Sequence, residues 1–256
     1  MSAQPSPADA SMTLVEHLAE LRHRLIVCVI AVAAGMVLGF VLYPWVFDIL
    51  LRPYEQIATA ENSVGDGRLI QIDPLEGFSI RMKTSAYTGI AFAMPVILWQ
   101  VWRFVTPGLY PHERRYAVPF VVSALVLFVT GAGLAYYTLP RALDFLVDIG
   151  GDDLVTAFAP GKYFQLVTYM MLAFGVGFEF PIVLIFLQMA GIVEPATLRR
   201  GRRFAIVGIC VLVAVITPSG DPISMLMLSL PMVLFYEAAI VIGSIITKRQ
   251  AARAAA

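Results

Sequence analysis

The sequence predicts an all-α, polytopic membrane protein with six transmembrane helices, on three observations. Hydrophobic residues make up 59% of the chain and charged residues only 14%, against about 25% charged in an ordinary soluble domain. The apolar residues are gathered into six runs rather than scattered. The basic residues fall mostly in every second connection between those runs, as in short cytoplasmic loops. One membrane domain over 14–248 is expected, with tails over 1–13 and 249–256.

The chain opens on MSAQPSPADASM, a polar stretch without the basic start of a signal peptide, and a disordered tail is expected over 1–13. In EHLAELRHRL (16–25), Leu14, Leu18, Leu21 and Leu25 recur at helical spacing, which predicts an amphipathic helix along the membrane before the first span. A crossing needs about 20 apolar residues. The candidate spans lie near 24–44, 82–105, 117–138, 163–188, 204–217 and 223–246. The fifth, FAIVGICVLVAVIT, is short. An Arg cluster precedes it and the turn TPSGDP follows, so it reads as half of a helical hairpin with the sixth. A buried re-entrant pair is the alternative.

Two long connections remain. VFDILLRPYEQI, interrupted at Pro53, and PRALDFLVDIG read as short amphipathic helices capping the outer interface. Pro95, Pro181 and Pro231 are expected to kink three spans. With the N-terminus, 106–116, 189–203 and the C-terminus on one side, that side holds twelve of the 18 Lys and Arg, leaving six opposite. Both termini are then cytoplasmic. Eleven acids, from Asp48 to Asp221, fall on the outer side and reinforce the asymmetry.

Function classes narrow by exclusion. Formal net charge is zero, which gives no sign of nucleic-acid binding. Cys28 and Cys210 sit in apolar runs without a second Cys or a His at ligand spacing, and read as small buried hydrophobes; no metal or cofactor is expected. No His-Glu-x-x-His, Gly-x-Ser-x-Gly or phosphate-cradling loop is present, so no catalytic residue is assigned. What stands out is carboxylates. Glu179, in LAFGVGFEFPI, lies mid-span with no base nearby, where an ionised group costs at least a few kcal/mol and is usually functional. Glu20 has Arg24 one turn on, which by itself reads as a surface pair. Glu113 sits in PGLYPHERR beside Arg114 and Arg115, by itself a charge-balanced loop. Glu237 is expected to snorkel toward the cytoplasmic interface, and Asp221 to cap the sixth helix.

HLAELRHRL, MPVILWQVWRF (94–104), PGLYPHERR, FGVGFEFPI and ITPSGDP occur in this order across the six spans. Together they closely resemble the TatC family, the polytopic core subunit of the twin-arginine protein translocase, over residues 14 to 246. The resemblance implies a concave, glove-like bundle that receives signal peptides carrying a consecutive Arg-Arg pair. It assigns that pair to Glu20 and Glu113, with Arg22, Arg114 and Arg115 orienting the site. A carboxylate clamps the planar guanidinium fork in a way Lys cannot reproduce. The resemblance also places Glu179 in the hollow of the glove, meeting a polar side chain of a single-span partner subunit of the TatA or TatB type, with Gly175 and Gly177 letting that helix approach. Thr217 and Met225 mark a second partner contact; many members carry Gln where Met225 stands, and Lys where Pro111 stands. Self-association, a bacterial-type cytoplasmic membrane and proton-gradient-driven export of folded precursors complete the implied picture. The alternative is a proton-coupled small-molecule transporter with Glu179 as relay. It is disfavoured by the lack of repeated halves.

Overall fold

The computed structural model describes residues 14–57, 69, 71, 73–105, 117–150, 159–189, 191–217 and 220–254. The tail over 1–13 and the 106–116 connection, with Glu113, Arg114 and Arg115, lie outside them. Regular structure among the described residues is wholly helical: α1 (Leu14–Val41), α2 (Tyr43–Glu55), α3 (Glu76–Val105), α4 (Ala117–Asp148), α5 (Pro160–Gly177), α6 (Phe180–Met189), α7 (Pro195–Arg200), α8 (Arg202–Ile216) and α9 (Pro222–Ala254).

Among the described residues four stretches are long and apolar enough to cross a bilayer: Leu18–Val41, Val118–Asp148, Pro160–Met189 and Pro222–Ile246. Helix α3 has 30 residues, but Arg81, Lys83, Arg103 and its hydroxyls lower its hydropathy. Helix α8, with 15 residues, reaches only about 22 Å.

Several expectations are corrected. The segment 16–25 is not a separate surface helix but the first turns of α1. No Pro or Gly falls between Leu14 and Gly35, so nothing interrupts propagation once the helix is nucleated. PRALDFLVDIG is likewise the end of α4, which runs through Pro140 to Asp148. Residues 249–254 are helical and continue α9. Nor does Pro53 interrupt α2. Without an N–H it leaves the Ile49 carbonyl unpaired within the helix. The Tyr136 hydroxyl donates to that oxygen at 2.8 Å, and Tyr163 donates to the neighbouring Leu50 carbonyl at 2.6 Å. Cys210 is exposed on α8 and Cys28 half-buried.

The directions of packing are consistent with helices that alternate. Gly35 meets Gly89 and Gly39 meets Ser85, so α1 and α3 are antiparallel. They touch backbone to backbone: a Cβ at Gly35 would stand 2.5 Å from the Gly89 carbonyl oxygen. Small residues allow such approach where dispersion, not hydrophobicity, holds helices together in lipid. Gly131 of α4 lies against Phe174 of α5, and Gly175 against Phe128. The α5–α6 unit runs parallel to α9, Gly177 facing Leu228 and Gln188 bonding the Ala239 carbonyl. One end of the bundle gathers the start of α4 and the ends of α3 and α6 through Trp102, Phe120 and Phe186, with centroids 4.5 to 6.4 Å apart. At the other end Glu76 of α3 accepts the Gly161 N–H at 2.8 Å and caps α5 from outside, since Ala159 brings no capping side chain.

Candidate functional site

At the first of these ends, Glu20 is held by its own helix. Arg24 lies one turn on and places both Nε, at 3.1 Å, and Nη2 on Glu20 Oε1. Its Nη1 reaches across to Gln100 Oε1 of α3 at 3.3 Å. Both side chains are largely covered, at 12% and 20% exposure, so the pair is less screened than a surface pair. Glu20 Oε2 is buried and accepts no hydrogen bond among the described residues. A carboxylate with one oxygen engaged and one open can take a further donor, and charged donors bind it best. Arg22 is exposed on α1. Helix α3 ends at Val105 and α4 begins at Ala117, with Trp102 packed on Phe120. The segment that carries Glu113, Arg114 and Arg115 therefore joins two adjacent helix ends.

Glu179 occupies a break. The expected fourth span is two helices, α5 and α6, separated by a turn at Phe178 and Glu179. Pro181 causes it: lacking an N–H, it leaves the Gly177 carbonyl without its helical donor. The backbone closes instead through Glu179 N–H to the Val176 carbonyl at 3.1 Å, while the Glu179 carbonyl accepts from Ile182 and Val183. Glu179 Oε1 is buried with no hydrogen-bond partner among the described residues. Contrary to the expectation from their small size, Gly175 and Gly177 leave no room for an outside helix. Gly175 is filled by the Phe128 ring and Gly177 by Leu228. Phe128 also lines, with Thr88, Phe92, Thr168 and Leu172, an apolar cleft of about 240 Å3 between α2, α3, α4 and α5.

The turn between α8 and α9 is the third element. Gly220, at φ 60°, takes the left-handed conformation the turn requires. Asp221 is buried and its Oδ1 accepts the Ser224 N–H at 2.6 Å, the expected cap of α9. Thr217 is 4% exposed and its hydroxyl finds no partner among the described residues. Met225 is half-buried against the main core. Phe178 packs edge-on to Phe235, centroids 5.1 Å apart, so the Glu179 break meets α9 two to three turns along from Met225.

Two polar links were not foreseen. Glu237 does not merely snorkel: Arg202 at the start of α8 donates to its Oε2 at 2.7 Å. Gln188 is 1% exposed and wedges its amide between α6 and α9, donating to the Leu184 and Ala239 carbonyls at 3.2 and 3.0 Å. Both Gln188 and Gln100 could have been suspected as amides inside apolar runs, where an unsatisfied polar group is costly. Among the described residues no group of three His, Cys, Asp or Glu could hold a metal ion.

The comparisons with known proteins agree with one another. A family model described as "Sec-independent protein translocase protein (TatC)" matches residues 16–231. A Sec-independent protein translocase protein TatC of Frankia casuarinae is 42% identical over 251 residues, covering 96% of this chain and 69% of the relative. The TatC protein of Aquifex aeolicus is 38% identical over 242 residues, covering 93% of this chain and 98% of its own. A crystal structure of the twin-arginine translocase receptor TatC, in the detergent DDM, superposes with a TM-score of 0.75 at 37% identity, over 89% of this chain and 99% of that one. These matches join the chain to a protein translocase and lend nothing to the solute-transporter alternative. The helical architecture, the five ordered motifs and these relatives together make this multi-pass membrane chain a member of the TatC family of Sec-independent protein translocases.

Proposed function

We infer that this chain is the receptor of a twin-arginine translocase, binding the Arg-Arg pair of signal peptides through Glu20 and Glu113 at a cytoplasmic face. The observation that carries the reading is Glu20: a largely covered carboxylate with a buried, open oxygen at a basic end of the bundle. Two guanidiniums arriving from water suit two carboxylates there, because each fork can be matched by parallel N–H···O bonds. Arg22, Arg114 and Arg115 orient the site. The chain acts as a receptor rather than an enzyme, in a bacterial-type cytoplasmic membrane, with both termini cytoplasmic. Six crossings are completed by α3 and the short α8.

Glu179, Thr217 and Met225 contact single-span partner subunits of the TatA and TatB type within the membrane. The unpaired oxygen of Glu179 supports this, since a buried acceptor at a helix break gains most from a donor brought by another chain. Self-association of the chain, which the resemblance implies, belongs to the same reading.

Site-specific crosslinking tests the receptor role. A photoreactive residue beside Glu113 is expected to capture a precursor with Arg-Arg in its signal peptide, not one with Lys-Lys, and adducts should vanish in Glu20→Ala. Equal labelling of both precursors would reduce the carboxylates to ordinary loop charges. For Glu179, normal export by Glu179→Ala would end the partner-contact role.

A further inference from the structure

We propose that Arg24 is an internal stand-in for the ligand guanidinium: it occupies Glu20 in the empty receptor, moves wholly onto Gln100 when a ligand arginine arrives, and so sets a threshold that a lysine does not pass. The inference rests on the receptor reading above. Arg24 lays two N–H groups on Glu20 Oε1 while already holding a second acceptor, Gln100 Oε1, with Nη1. Glu20 Oε2 stays buried and open.

The sequence of events follows from these positions. An incoming cation finds Oε1 engaged by Arg24 and Oε2 covered. To bind both oxygens it must displace Arg24, whose charge would then be stranded in a largely covered place unless another acceptor held it. Gln100 is that acceptor. Its position does not depend on occupancy, because the contacts of Gly35 with Gly89 and Gly39 with Ser85 lock the register of α1 on α3. A guanidinium replaces the two N–H···O bonds that Arg24 gives up with two of its own. An ammonium offers a single compact donor head without the fork, so Arg24 stays and the carboxylate remains neutralised. Selectivity for arginine thus comes partly from competition within the receptor, an obstacle raised against the wrong ligand.

The test is equilibrium binding of a fluorescent synthetic peptide, Arg-Arg followed by an apolar segment, to the full-length chain in lipid nanodiscs, with a Lys-Lys peptide as comparator. In Arg24→Gln the Arg-Arg peptide is expected to bind about tenfold more tightly, the scale of one charge-assisted hydrogen-bond pair. The Lys-Lys peptide should gain more, narrowing the preference. Arg24→Lys should fall between wild type and Arg24→Gln. Gln100→Leu should weaken Arg-Arg binding several-fold in wild type yet change nothing in the Arg24→Gln background. A misfolded site loses affinity, so a gain separates competition from a structural role. Weaker or unchanged binding in Arg24→Gln, or the same effect of Gln100→Leu in both backgrounds, overturns the inference. Glu20→Gln distinguishes the two levels. If wild type shows no Arg-Arg preference and Glu20→Gln has no effect, the receptor reading itself fails and Arg24 falls with it.

Discussion

Two carboxylates, Glu20 and Glu179, sit in regions built on opposite principles. Glu20 rides on α1, which is fastened to α3 by glycines so close that neither can carry a side chain, and its charge is met by Arg24 within the same element. Glu179 lies where Pro181 has broken a span in two, and one of its oxygens meets nothing among the described residues. The first region is rigid and its charge is balanced by Arg24, although Glu20 Oε2, like Glu179 Oε1, accepts no hydrogen bond among the described residues. The second is locally interrupted and has an acceptor waiting. The function proposed above would use both: a fixed geometry for charge recognition, and an unmet polar group where lipid cannot satisfy it.

The sharpest way to break this contrast is to pry apart the rigid side. In Gly89→Leu the first side-chain carbon alone would stand 2.5 Å from the Met36 nitrogen. The cost should be at least ~3 kcal/mol, since backbone cannot yield as a side chain does. Membrane yield and thermal midpoint in detergent should both collapse; an unchanged midpoint would show that α1 and α3 are not locked. Next in size, Glu20→Gln should lose about tenfold or more in Arg-Arg peptide affinity, as a charged hydrogen bond is removed. Glu179→Gln should keep peptide affinity within about twofold and lose export instead. If the two variants behaved alike in both assays, the division of labour would be wrong.

A smaller effect belongs to the turn that joins the last two helices. Asp221→Ala removes the α9 cap and should cost about 1 kcal/mol, read as a lower thermal midpoint, while Asp221→Asn should retain most of the stability. Smallest of all, Glu237→Gln should shift stability by less than ~1 kcal/mol, because its pair with Arg202 is half-exposed. A large loss there would mean the pair is shielded by a neighbour absent from a single chain.

Composition and periodicity determined a good deal of this protein without tertiary information. The helical membrane class, the hairpin at TPSGDP and the capping role of Asp221 could each be read from local patterns, because each depends on residues within a few positions of one another. Five motifs in register then singled out Glu20, Glu113 and Glu179 as candidates, of which Glu113 lies outside the described residues. Element boundaries were less legible. Whether EHLAELRHRL turns along the membrane or continues into α1 depends on what the helix packs against, and its hydrophobic spacing suits either. Pro53 reads as an interruption because sequence shows the missing N–H but not the Tyr136 hydroxyl, brought from another helix, that serves the Ile49 carbonyl.

The largest gap concerns partners across helices. Glycine spacing signals close approach but not which helix approaches, so Gly175 and Gly177 were given to a partner chain when α4 and α9 fill them. Arg24 was legible as the neighbour of Glu20; that it also reaches Gln100, 76 positions away, was not. Local chemistry determined which groups demand a partner. Only the packing of α1 on α3, of α4 on α5 and of α6 on α9 decided which groups found one, because hydrogen bonds act over about 3 Å in space, whatever the distance along the chain.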